Sequence, residues 1–235
     1  MNHTFAGETI RYEVTHKNRT SIGLSMDQYG IVVVLAPKGT SQEQVHKVLE
    51  ANWALIQEKL RDVQSRMQGA LKKTYEYGET FLYLGKEYPI SIMHDETIQK
   101  DHVVFDRKTL HIQVKQQEDA IIRQALKRYY YQQCKAIVEK SIKSHQSHFK
   151  MKPRSVKIVD SKKNWGTCNG NLELTFNWKL AMAPQEVIDY VVVHEMCHMV
   201  HLNHDRSFWR LVGKIMPDYK EREAWLAVSS WRMTV

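Results

Sequence analysis

Five consecutive residues hold most of the chemistry in this 235-residue chain: His194-Glu195-Met196-Cys197-His198. An apolar run, Val191 to Val193, leads into two histidines four positions apart, with a glutamate directly after the first. On an α-helix four residues advance about 6 Å and turn about 40° past a full turn, so both imidazoles leave one side. Two ring nitrogens so placed converge on one metal ion. The carboxylate beside them is free to take a proton from water held by that ion. Twelve histidines are present in all, so chance pairs at this spacing are a real alternative and the surrounding residues must decide.

Two histidines do not make a site. Downstream, His201 and His204 are the candidates for a third ligand. His201 on a continued helix would lie about 10 Å along the axis from His194. Ligand atoms must all come within about 2.1 Å of a zinc ion, so a straight helix cannot supply all three. Asn203 offers an exit, because Asn tolerates the left-handed conformation that ends helices. His204, just beyond, can then turn back. The expected set is one Zn2+ per chain on His194, His198 and His204, with Glu195 as catalytic base and His201 in a supporting or surface place. Asp205 reads as the N-cap of a following helix that begins Arg206-Ser207-Phe208-Trp209.

The elements that must position these residues follow from periodicity. Pro184, with Glu186 close behind, suits the start of the helix carrying His194 and His198. Before it, Leu172 to Trp178 alternates as a half-buried strand, expected to be an edge against which an extended peptide pairs. A loop from Ser161 to Cys168 and the turn Asn169-Gly170-Asn171 precede that strand, and Val156 to Val159 forms another. Residues 118–149 read as one long amphipathic helix, with Ile122, Leu126, Tyr129, Tyr130 and Val138 inward and Arg123, Lys127, Lys135, Lys140 and Lys143 outward. Residues 79–93 predict a hairpin about Gly85-Lys86, and residues 103–112 a second. Short alternating runs over residues 8–36, with turns at 17–19 and 27–30, predict a β-meander. A helix opened by Thr40 or Ser41 runs to about Met67 with Val45, Leu49, Trp53 and Ile56 on its core stripe. Two helices separated by Pro217 follow Asp205. One break, near residues 114–118, divides a lobe of residues 1–115 from one of residues 116–235, with a single compact domain as the alternative.

Composition excludes several classes. Three widely spaced cysteines, Cys134, Cys168 and Cys197, form no disulfide framework or cysteine zinc site. No basic start followed by an apolar core marks a signal peptide, and the longest apolar stretch, Ile31 to Ala36, is far too short to cross a bilayer. A cytoplasmic protein without a membrane partner is expected. Net charge is +8, and residues 121–163 alone hold twelve Lys/Arg against two acids. Such clustering suits an anionic partner, a nucleotide or nucleic acid, as well as a merely solvated helix face.

With these residues assembled, the chain resembles the YgjP-like family of zinc metallopeptidases, relatives of the SprT-like and WLM groups. His194-Glu195-Met196-Cys197-His198, continued through Asn203-His204 to Phe208-Trp209, is similar to the family's HExxH, NH and FW pattern. Trp165-Gly166-Thr167-Cys168, leading through Asn177-Trp178, resembles its Trp-Gly-Ser-Cys element and strand, with Thr167 in place of Ser. Tyr77-Gly78-Glu79 with Tyr83-Leu84-Gly85-Lys86 resembles its Gly-Glu and Leu-Gly hairpin. The resemblance implies an α+β fold whose zincin-like C-terminal lobe sets the active-site helix beside a small sheet, behind a β-rich N-terminal lobe with one long helix. It also implies metal on His194, His198 and His204 and supports Glu195 as general base.

The expected function is hydrolysis of peptide bonds in a peptide or protein substrate by Glu-assisted attack of zinc-bound water. Substrate-binding candidates are Asn164, Trp165, Gly166, Asn177, His201 and Arg206. Two alternatives rest on the basic segment: a metal-dependent nucleoside triphosphate pyrophosphatase, and a DNA-associated protein with little turnover.

Overall fold

The computed structural model describes residues 1–26, 30–68 and 73–235; the turn expected at 27–30 lies outside them except for Gly30. The fold is mixed α+β, with three small sheets and six α-helices among the described residues. The chain divides into two compact units, residues 1–71 and 72–235. The break expected near residue 115 instead falls inside one continuous core. Apolar side chains on both sides of that point, Ile112 and Val114 before it and Ile122 and Leu126 after it, are buried together.

In the first unit, β1 (Asn2–Phe5), β2 (Glu8–Lys17), β3 (Gly23–Met26) and β4 (Val32–Pro37) form one sheet in the order β1-β2-β4-β3. Because β2 pairs with β4 in parallel, it is not the expected meander: β4 inserts between β2 and β3, a long-range choice that local alternation does not encode. Ile10, Tyr12, Val32 and Val34 point to one face and meet Val45, Leu49, Trp53 and Ile56. The single helix expected over residues 41–67 is two, α1 (Gln42–Ala51) and α2 (Trp53–Gln68). Ser41 and Gln44 close a reciprocal capping box at the start of α1. At its end, the Asn52 side-chain amide donates to Val48 O at 2.8 Å, competing with the helical ladder.

The second unit holds the candidate chemistry. Here β5 (Thr80–Tyr83), β6 (Lys86–His94), β7 (His102–Phe105) and β8 (Leu110–Val114) form a sheet in the order β5-β6-β8-β7. Both expected hairpins are present, since β5 pairs with β6 and β7 with β8 antiparallel. Helix α3 (Asp119–His145) buries Ile122, Leu126, Tyr130, Cys134 and Val138, and the Tyr130 hydroxyl donates to Leu82 O at 2.8 Å. A second sheet contains β9 (Ser155–Val159), β10 (Gly166–Cys168) and β11 (Glu173–Asn177) in the order β10-β11-β9. Two expectations change here. The stretch 161–168 is not all loop, and β11 is the central strand, so it offers no free edge; among the described residues β10 does.

Helix α4 (Gln185–His198) starts after Pro184 as expected and is buried along most of its length, from Val187 to Cys197. Its start is fixed by the β5–β6 turn. Leu84 N–H donates to Ala181 O at 2.9 Å and Gly85 N–H to Met182 O at 3.0 Å. Gly85 has φ +78°, and a Cβ there would lie 2.7 Å from Pro184 Cγ, so the turn demands glycine for conformation and space together. Helices α5 (Arg206–Ile215) and α6 (Tyr219–Ser229) complete the unit.

Candidate metal centre

Helix α4 presents His194 and His198 one turn apart, and it ends at His198. The exit is therefore earlier than expected, and Asn203 does not adopt a positive φ. A short loop carries the chain to Asp205, which caps α5 by accepting from Ser207 N and Phe208 N, each at 2.9 Å. His204 precedes that cap. Although exposed overall, it turns its ring inward: His204 Nε2 lies 2.9 Å from His194 Nε2 and 3.2 Å from His198 Nε2. One ligand atom from each of the three lies within 4.8 Å of the others.

The chemistry of this donor set fits a metal ion. His198 Nδ1 lies 3.0 Å from His201 O; a carbonyl only accepts, so the proton sits on Nδ1 and the Nε2 lone pair faces the cluster. Burial, and then the charges of His198 and His204, hold His194 down to about 3, and burial followed by His198 lowers His204. Neutral imidazoles are the form that ligates. Converging lone pairs repel one another unless a cation lies between them, and a set of three imidazole nitrogens suits zinc better than magnesium, which prefers oxygen.

Around the histidines lies an apolar wall that motif spacing alone did not assign. Phe208 is fully buried and stacks on His198 with ring centroids 4.5 Å apart, touching His194 at 4.9 Å and His204 at 4.7 Å. Trp209 lies 5.7 Å from His204 and stacks on Tyr219, which in turn stacks on Tyr190 beneath His194. The signal was in the sequence: Phe208-Trp209 sits just inside the capped helix that follows His204.

Glu195 is 6 % exposed, and burial alone raises its carboxyl to about 8. It lies against Gly166 of β10. The other expected site residues divide. The His201 carbonyl orients His198, while its Nδ1 lies 3.2 Å from the Ser207 hydroxyl. Trp165 O accepts from Asn177 N at 2.8 Å. Asn177 is buried, and its side-chain amide donates to Ser161 O at 2.8 Å and Asn164 O at 3.4 Å while its oxygen accepts from Lys179 N. It is thus used in clamping the loop before β10. Asn164 and Arg206 are exposed. Within the basic segment, Lys127 pairs with Asp160 at 2.7 Å, Arg128 lies 3.7 Å from Asp101, and Lys135 lies 4.0 Å from Glu139.

The family profile of the YgjP-like metallopeptidase domain matches residues 20–229. This chain belongs to the YgjP-like family. A YgjP-like metallopeptidase implies a metal cofactor, typically zinc, and peptide or protein substrates. No curated protein matches the chain. Among solved structures, the crystal structure of the metallopeptidase zymogen of Pyrococcus abyssi abylysin is similar at 24% identity over 37% of this chain and 89% of that one, with a TM-score of 0.35. No helix among the described residues of this YgjP-like chain is long and apolar enough to cross a membrane.

Proposed function

We propose that this YgjP-like protein is a zinc-dependent peptidase whose metal is held by His194, His198 and His204 and whose general base is Glu195. The observation that carries this is the convergence of three imidazole Nε2 atoms, two contacts of 2.9 and 3.2 Å, beside a buried carboxylate. Helix α4 beside the β10-β11-β9 sheet is then the core of a zincin-like lobe akin to those of SprT-like proteins. Zinc bound there supplies Lewis acidity, which makes water a nucleophile near neutral pH and polarises the scissile carbonyl.

The chain's own residues do the rest. Glu195, next in sequence to the first imidazole, takes a proton at its carboxylate and passes it to the departing amine. Tyr190, Phe208 and Trp209 keep water away from the backs of the imidazoles. The register Thr167↔Thr175 and the Asn177 N–H to Trp165 O bond direct the polar groups of odd-numbered β10 residues to β11. Gly166 and Cys168 then offer their N–H and C=O groups to an extended peptide along the free edge. Three free cysteines suit a reducing compartment, so we place the protein in the cytoplasm.

Glu195→Gln tests the mechanism. Zinc-loaded wild type should cleave an unstructured protein such as β-casein, and the Gln variant should bind zinc equally well but lose at least 10²-fold in rate, roughly the contribution of a positioned general base. An active Gln variant refutes Glu195 as base. Hydrolysis of nucleoside triphosphates in place of casein overturns the peptidase assignment.

A further inference from the structure

Glu195 is buried, and no hydrogen bond or ion pair to another described residue fixes its carboxylate, so the groups packed against it bear on its orientation. Gly166 is in the right place. A Cβ at residue 166 would lie 2.6 Å from Glu195 Cγ, 2.8 Å from Oε1 and 2.9 Å from Cδ. Separations below 3.0 Å are essentially never seen for a Cβ. The Gly166 φ is not in the left-handed region, so its conformation is open to any residue. Space, not backbone freedom, calls for glycine here.

The neighbouring residues show how the slot is built. Thr167 faces the other side of the strand, with its hydroxyl 2.6 Å from that of Thr175 directly opposite. Cys168, two residues on, shares the face of Gly166. Its thiol is pushed up to about 11 by burial and then by the Glu195 carboxylate. The strand is pinned to β11 on its other edge, and α4 is buried along its length, so neither backbone can readily withdraw. The yielding part is the Glu195 side chain.

We propose that Gly166 is a positioning residue: its missing side chain leaves a slot in β10 that holds the Glu195 carboxylate in its working orientation. This rests on the assignment of Glu195 as base. A glycine needed only for close helix–strand packing would matter whatever stood at residue 195; a glycine that seats Glu195 matters only while that side chain is present.

The test is a cycle of Gly166→Ala, Glu195→Ala and the double variant, with Gly166→Ala/Glu195→Asp as a shorter-carboxylate companion. Urea midpoints of the metal-free proteins, zinc affinity by competition with a chromophoric chelator, and initial rates on β-casein are the readouts. Gly166→Ala should lower kcat at least tenfold, since a misplacement of about 1 Å costs on the order of 10²-fold, with KM and zinc affinity within about twofold of wild type. The fall in urea midpoint should disappear in the Glu195→Ala background and shrink in the Glu195→Asp background. If Gly166→Ala alone does not fold, a folded double variant supports the proposal in the same way. An equal fall with and without Glu195, or an unchanged kcat, overturns it. Wild type inert toward casein overturns the peptidase assignment instead, and the urea cycle then decides the role of Gly166 by itself.

Discussion

Phe208 is the single side chain outside the proposed ligand set on which the site leans most. Its ring contacts all three imidazoles and is closed to solvent. Truncation opens a cavity directly behind the ligands: Phe208→Ala should cost about 3–5 kcal/mol in urea unfolding. It should also weaken zinc binding by about 10–100-fold, the scale seen when support behind a ligand is removed. Chelator competition on the same samples separates the two losses. At this scale the sequence was most readable. The i, i+4 spacing of His194 and His198 is a helical rule, and His204 followed because no straight helix brings a third imidazole to the same point. Asn177 was legible as a notable residue but not in its task, since its partners Ser161 and Asn164 are brought to it only by the fold.

Among the elements, the junction between α4 and α5 controls where the third imidazole stands. Asp205 accepts from two backbone N–H groups and from the Ser207 hydroxyl at 2.6 Å, which lowers its carboxyl from the ordinary range. Asp205→Ala should destabilise α5 and lower the melting temperature, as loss of an N-cap does. Because His204 is the preceding residue, zinc affinity should fall as well, while Asp205→Ser should retain both; thermal melts and chelator competition measure this. The cap was predictable from Asp-Arg-Ser-Phe, whereas strand β10 was not. Three residues beginning with glycine carry no alternation to detect, and their identity as a strand comes from pairing with β11. The same limit explains β4: its apolar run marks a buried strand, but nothing local says that its partner is β2 in parallel. Asn52 broke the long α1–α2 stripe because the apolar spacing continues through it although the backbone ladder does not.

At the scale of the molecule, the fold ties down part of the cationic run that the sequence concentrates in residues 121–163. The cations of residues 121–163 find acids at Asp160, Asp101 and Glu139, one of which lies outside the segment. Asp160 accepts from Lys127 and, at 3.0 Å, from Trp178 Nε1, and these two bonds, Lys127 first, lower its carboxyl. A carboxylate depressed in the folded state stabilises above its unfolded value of about 3.9 and loses that contribution as pH falls through the folded value. Asp160→Asn should therefore cost stability at pH 7, on the order of 0.2–1 kcal/mol for so exposed a pair. The gap from wild type should close below about pH 4. Denaturation midpoints at pH 7, 5 and 3 check the sign.

The third imidazole and, apart from Tyr190, the aromatic wall come from residues that follow α4. A ribosome that has released only as far as His198 has therefore delivered two of the three proposed ligands and the proposed base, but no metal pocket. Until His204 and the first turn of α5 emerge and dock, a nascent chain lacks the third imidazole and the Phe208 backing of the proposed pocket, so the order of translation itself postpones metal loading.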